Sequence, residues 1–241
     1  MPRTIVLFIT TSVSACTVLF CVGMLAVTSN ELSIAQMMRD AATTAQIHPL
    51  YGLLSNLGIL LWSVPASICL FVAIAARPEI TDRTFGFLLS SALISGWLMI
   101  DDWFLFHEDL ARRYFGLEEK WILLLFMIVF LLYILKFRKV ILNTTYSILV
   151  TAIGLFSTSI LVDSVGGFLN LSWKHVLFIE DALKWLGICF WCAYYVHVAY
   201  QILVGTDKVS GKHFPRAVPS NQTPEGWVIQ KLLLKSDITK P

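Results

Sequence analysis

Long apolar runs separated by short polar segments set the pattern of this chain. Six such runs occupy residues 5–27, 50–76, 85–106, 121–135, 144–162 and 175–203. A helix needs about 20 apolar residues to cross a bilayer. The run at 121–135 is shorter, so we expect the snorkelling side chains of Lys136 and Arg138 at its end. The pattern predicts an all-α, polytopic integral membrane protein, a bundle of six transmembrane helices within residues 1–204.

Composition agrees with this prediction. Hydrophobic residues make up 57% of the chain and charged residues only 14%, whereas soluble domains carry about 25% charged residues. Arg3 before the first run is typical of a secretory signal, but the run is longer than the apolar core of such a signal. No small-residue cleavage site precedes Glu31, so we expect the run to be retained as a helix.

The basic residues indicate the orientation. Six spans put both ends of the chain on one side of the membrane. Of the 18 Lys and Arg residues, twelve fall on that side, five fall on the other, and Lys184 lies within the last run. Because basic residues are retained on the inner side, both termini are predicted to be cytoplasmic, with the plasma membrane as the expected location.

Two segments outside the runs have a character of their own. Residues 29–47 alternate apolar and polar positions at near-helical spacing, which predicts an amphipathic segment on the outer surface. Residues 205–241 hold prolines and lysines and are predicted to be a cytoplasmic tail. The lysines of the tail fit anionic lipid better than nucleic acid, so membrane lipid is the expected partner.

Carboxylates within the apolar runs are the main candidates for chemistry. Asp101 and Asp102 lie near the end of the third run, where charge is costly and by default indicates a functional site. A helix returns to nearly the same face after seven residues, so Asp101 shares a face with Glu108. The groups expected at this outer level are His48, Asp101, Asp102, His107, Glu108, Asp163, His175, Glu180, Asp181 and Lys184.

Histidines and carboxylates from several helices can hold zinc, iron or manganese. The ligands predicted for such a metal are His48, Asp101, His107, Glu108, Asp163, His175 and Asp181. The metal would activate water, and Asp102 or Glu180 would act as the catalytic general base. The leading hypothesis is therefore a metal-dependent membrane enzyme, a hydrolase of a lipid or another amphipathic substrate.

The same residues also fit roles that need no metal. Glu180 and Lys184 are four residues apart, which predicts a structural ion pair within one helix. The acids can equally fasten helices to one another, exchange protons or cations in a coupled transporter, or belong to a non-catalytic subunit of a membrane complex. His197, in the inner half of the last run, is predicted to be hydrogen-bonded within the bundle.

Overall fold

The computed structural model describes residues 33–166 and 173–205, with scattered positions between residues 13 and 28. Most of the first run, and the tail from residue 206, lie outside the described residues. The helices are α1 (Ile34–Met38), α2 (Ala41–Ala45), α3 (Leu53–Ala75), α4 (Asp82–Phe104), a π-turn (Phe106–Leu110), α5 (Ala111–Phe115), α6 (Glu119–Ile141), α7 (Tyr146–Gly166) and α8 (Trp173–Val204). Within the described ranges every regular element is helical.

The chain divides into two compact units, residues 1–53 and residues 54–241. In the first unit, the segment predicted as one amphipathic helix forms two helices of five residues each. Ser33 and Gln36 cap α1 reciprocally, side chain to backbone, at 3.2 and 2.8 Å. Asp40 then caps α2 by accepting from the backbone N–H of Thr43 at 2.8 Å. The aspartate interrupts the segment because a capping carboxylate begins a new helix.

In the second unit the helices are long. Among the described residues, four helices have the length and apolar composition to cross a membrane: 53–75, 82–104, 119–141 and 146–165. The fourth predicted run, 121–135, is part of the longer helix α6, because Phe137, Val140 and Ile141 are buried and continue its packed face beyond the basic residues. The helix α8 contains 32 residues.

Aromatic rings fill the centre of the second unit. The ring of Trp62 in α3 stacks on Phe156 of α7 at 5.8 Å and meets Trp191 of α8 edge-on at 5.7 Å. These rings close off the space beside Gly187 of α8, where a Cβ atom would lie 2.7 Å from the ring of Phe156. A glycine is required there because α7 and α8 pack closely.

Polar links join α4 to α8 along the length of the bundle. The links are Ser91 to Tyr195 through Tyr133 of α6, Ser95 to Trp191, and Asp102 to Lys184. From one link to the next, α4 advances by four and then seven residues, while α8 goes back by the same numbers. Steps of four and seven residues keep to one face of a helix, so the two antiparallel helices share a polar ladder.

Candidate functional site

The outermost link of the ladder is a junction of three helices at Asp102. Its Oδ1 lies 2.9 Å from Nζ of Lys184 in α8, and its Oδ2 accepts a hydrogen bond of 2.8 Å from the indole N–H of Trp62 in α3. The side chain of Asp102 is 13% exposed and that of Lys184 37%. Each carboxylate oxygen therefore has a donor from another helix, which is the condition under which a buried charge is tolerated.

Asp101, the preceding residue, faces different partners. It is buried, its Oδ1 accepts from the backbone N–H of His107 at 3.1 Å, and its Oδ2 lies 2.6 Å from Nδ1 of the same histidine. The other ring nitrogen of His107 is 3.6 Å from Glu108. Burial alone would lower the pKa of His107, but its hydrogen bond to Asp101 and the negative charge of Asp101 outweigh burial and raise it.

The backbone explains why adjacent aspartates diverge. The helix α4 ends at Phe104, and Leu105 adopts the left-handed conformation with φ of 50° and ψ of 44°. The π-turn begins directly after Leu105. As at the start of any helix, its first backbone N–H groups have no carbonyl of the same helix to bond. Asp101 accepts a hydrogen bond from one of these groups, the backbone N–H of His107. Asp102 points instead to Trp62 and Lys184 on other helices. π-helical turns are frequent at functional sites.

Further acids surround the junction. Glu180, one turn before Lys184 on α8, experiences the negative charges of Asp163, Asp181 and Glu108, as well as the positive charge of Lys184. Its backbone carbonyl accepts a hydrogen bond of 3.0 Å from the Ser159 hydroxyl of α7. The ammonium of Lys184 thus lies in a predominantly acidic environment.

The predicted metal ligands do not gather around one point. Among the residues that the structure describes, no group of three or more His, Cys, Asp or Glu side chains is placed to hold a metal ion. Asp101 and His107 bond each other, with Glu108 beside them. Asp163 of α7 is exposed.

The other predicted ligands are His175, Asp181 and His48. His175 and Asp181 are exposed on α8. His48 belongs to the first unit, where its Nδ1 accepts from the backbone N–H of Leu50 at 3.3 Å and its ring lies 6.5 Å from that of Tyr51. The ligand set predicted from a common membrane depth stays a prediction, and the described ion-pair contacts join only Asp101, His107 and Glu108 of that set.

The structure pairs Lys184 with Asp102, while the intrahelical pair predicted between Glu180 and Lys184 stays a prediction. Asp102 is the less exposed carboxylate, and an unpaired charge costs more where burial is greater. Trp62 completes the junction, and the sequence does not predict its role because an uncharged residue inside an apolar run carries no distinguishing pattern. One feature of the sequence does indicate the ion pair: Asp102 and Lys184 carry opposite charges, and each lies inside an apolar run.

Comparison with known proteins identifies the family to which the chain belongs. Residues 6–198 match the model of a family described as a domain of unknown function, DUF8692. No curated protein and no solved structure matches the chain. The matched region includes Trp62, Asp102 and Lys184, together with the break at Leu105. It covers well over half of the chain, which therefore belongs to the DUF8692 family.

Proposed function

We propose that this protein is an integral membrane protein of six transmembrane helices that couples proton or cation movement to the ion pair of Asp102 and Lys184. The observation that carries the proposal is the 2.9 Å contact between these two side chains. Ionisable groups inside a membrane span are expensive, and proton and ion pathways are their usual role. A lysine bonded to a carboxylate acts as a tethered cation, which an incoming proton or cation can replace.

The partial exposure of Lys184 supports release of its ammonium from Asp102. The Lys184 side chain is 37% exposed, so its ammonium can leave Asp102 without crossing the aromatic core. When a proton or another cation neutralises Asp102, the attraction to Lys184 disappears and the bond between α4 and α8 opens. The neighbouring carboxylates of Glu180 and Glu108 contribute negative charge, which favours the arrival of a cation.

The membrane topology belongs to the same proposal. The first run and α8 would add two spans to the four apolar helices, placing both termini in the cytoplasm of a plasma membrane. Labelling of single cysteines from either side of the membrane would test the topology.

Flux measurements on purified protein in vesicles would test the coupling. We expect Asp102→Asn and Lys184→Gln each to abolish cation-dependent or proton-dependent flux, because either change removes one charge of the exchangeable pair. Asp109→Asn is the matched control, since Asp109 contacts only solvent-exposed Arg113 among the described ion pairs, at 3.4 Å. Wild-type vesicles with no flux beyond that of empty vesicles, tested with protons, sodium and potassium, would refute the proposal.

A structural role is the second candidate, and the polar ladder between α4 and α8 favours it. In that case the ion pair only fastens helices in a membrane complex. Each single variant would lose stability, and Asp102→Asn combined with Lys184→Gln would recover part of it, because both buried charges would be gone. For a carrier, the double variant would regain stability while flux stayed lost.

The metal-dependent enzyme predicted from the sequence would require a change in the contacts of Asp101 and His107. A metal bound by Asp101 and His107 would have to take the place of the hydrogen bond between them. Measurement of metal content in the purified protein tests this directly. A stoichiometric metal that is lost in Asp101→Ala would favour the enzyme over the carrier.

A further inference from the structure

One residue, Leu105, separates α4 from the helical segment that follows it. Residues 82–104 are α-helical and residues 106–115 form the π-turn and α5. Leu105 has φ of 50°, and this left-handed conformation is unfavourable for a residue with a Cβ atom. If Leu105 became right-handed, α4 and α5 would join into one continuous helix.

The contact between Asp101 and His107 depends on the break. Residues six apart on a continuous α-helix point in directions about 120° apart, so their side chains do not meet. In the broken form, both oxygens of the buried Asp101 carboxylate are bonded to His107, at 3.1 and 2.6 Å. The contact and the continuous helix therefore exclude each other.

The two opposing contributions define a device with two states. Backbone strain at Leu105 favours the continuous helix. The double hydrogen bond between Asp101 and His107 favours the break, because its loss would leave a buried carboxylate without a partner.

We propose that Leu105–Leu110 is a strained latch, held closed by Asp101 and His107, whose release extends α4 through Leu105 into α5. The latch lies directly beside Asp102, so its release turns the end of α4 against the junction with Trp62 and Lys184. This inference concerns conformation and does not depend on whether the protein carries cations.

Spin labels at Leu93 and Phe115 would measure the change in the full chain, with the native cysteines replaced. Both side chains are 67% exposed, so labels there disturb little packing. A continuous helix would place these residues about 33 Å apart, at 1.5 Å per residue, and any bend makes the distance shorter. We expect Asp101→Ala to lengthen the distance toward that value and to slow amide hydrogen exchange at residues 106–108, whose N–H groups gain helical acceptors in the continuous helix.

Leu105→Gly is the second variant, and it acts in the opposite direction. Glycine relieves the strain of the left-handed conformation and weakens a continuous helix, so the latch should close more firmly. Leu105→Gly should leave the distance short, and it should partly restore the short distance in Asp101→Ala. Asp109→Ala, in the same turn but outside the latch contact, is the control that should change neither measurement.

Two results would overturn the latch. One is an Asp101→Ala protein that remains folded with an unchanged distance and unchanged exchange. The other is a longer distance in Leu105→Gly than in the wild type, which would show that glycine at this position does not favour the closed state. The second result remains decisive even if Asp101→Ala does not fold.

Discussion

Removal of single hydroxyl groups from the buried tyrosine pair should have unequal effects. Ser91 donates its only hydroxyl hydrogen to the carbonyl oxygen of Phe87, at 2.7 Å. Tyr133, 2.8 Å from Ser91, must therefore donate to it, and Tyr195, 2.9 Å from Tyr133, must donate to Tyr133. Each hydroxyl has only one hydrogen to donate. The donation from Ser91 to Phe87 therefore determines which atom is the donor in the other two hydrogen bonds.

The direction determines what each substitution leaves behind. Tyr195→Phe removes one hydrogen bond and leaves Tyr133 still donating to Ser91. Tyr133→Phe removes two hydrogen bonds and leaves the buried hydroxyl of Tyr195 without an acceptor. Hydrogen bonds between membrane helices contribute about 0.6 kcal/mol on average, and a buried orphaned group costs about 1–3 kcal/mol. We expect losses of about 0.5–1 kcal/mol for Tyr195→Phe and about 2–4 kcal/mol for Tyr133→Phe.

Reversible unfolding in mixed micelles would measure both free energies under one condition. Tyr194→Phe is a matched control, because Tyr194 bonds only Thr144 among its described partners, at 2.9 Å. Its loss should resemble that of Tyr195→Phe. Equal losses for the two variants of the pair, or a larger loss for Tyr195→Phe, would refute the direction assigned to the chain.

Two further variants test packing and charge. Gly187→Ala should destabilise the protein by about 1–3 kcal/mol, because the added methyl group meets the ring of Phe156. Gly154→Ala is the control. It has open space for a methyl group, so it should be neutral or stabilising in the same unfolding measurement. The raised pKa of His107 predicts stability that is full below the unfolded pKa of about 6.5 and falls as pH rises through the folded pKa. His107→Gln should lose that pH dependence, and an unchanged profile would contradict the role of Asp101.

The long helices of the second unit are predictable from the apolar runs, although the run at 121–135 underestimates the length of α6. The hydrogen bond of His197 within the bundle, to Thr145 at 3.2 Å, is also confirmed. Asp102 stands out as a candidate in the sequence because charge inside an apolar run is conspicuous.

The partners of these residues are not predictable in the same way. Spacing along one helix determines which residues share a face, but it does not determine which neighbouring helix that face meets. Spacing therefore pairs Lys184 with Glu180 on its own helix, whereas the structure pairs it with Asp102. The left-handed Leu105 has no signal either, because leucine normally continues a helix and no glycine or proline follows.

The polar ladder fixes how α4 and α8 can move. The spacing between links is the same on both helices, four and then seven residues. A slide of α8 by one turn would therefore break all of the links together. In one direction Asp102 would come opposite Ile188, which offers no donor, and in the other opposite Glu180, which repels it. Both registers one turn away are therefore penalised, so α4 and α8 are expected to separate rather than slide along each other.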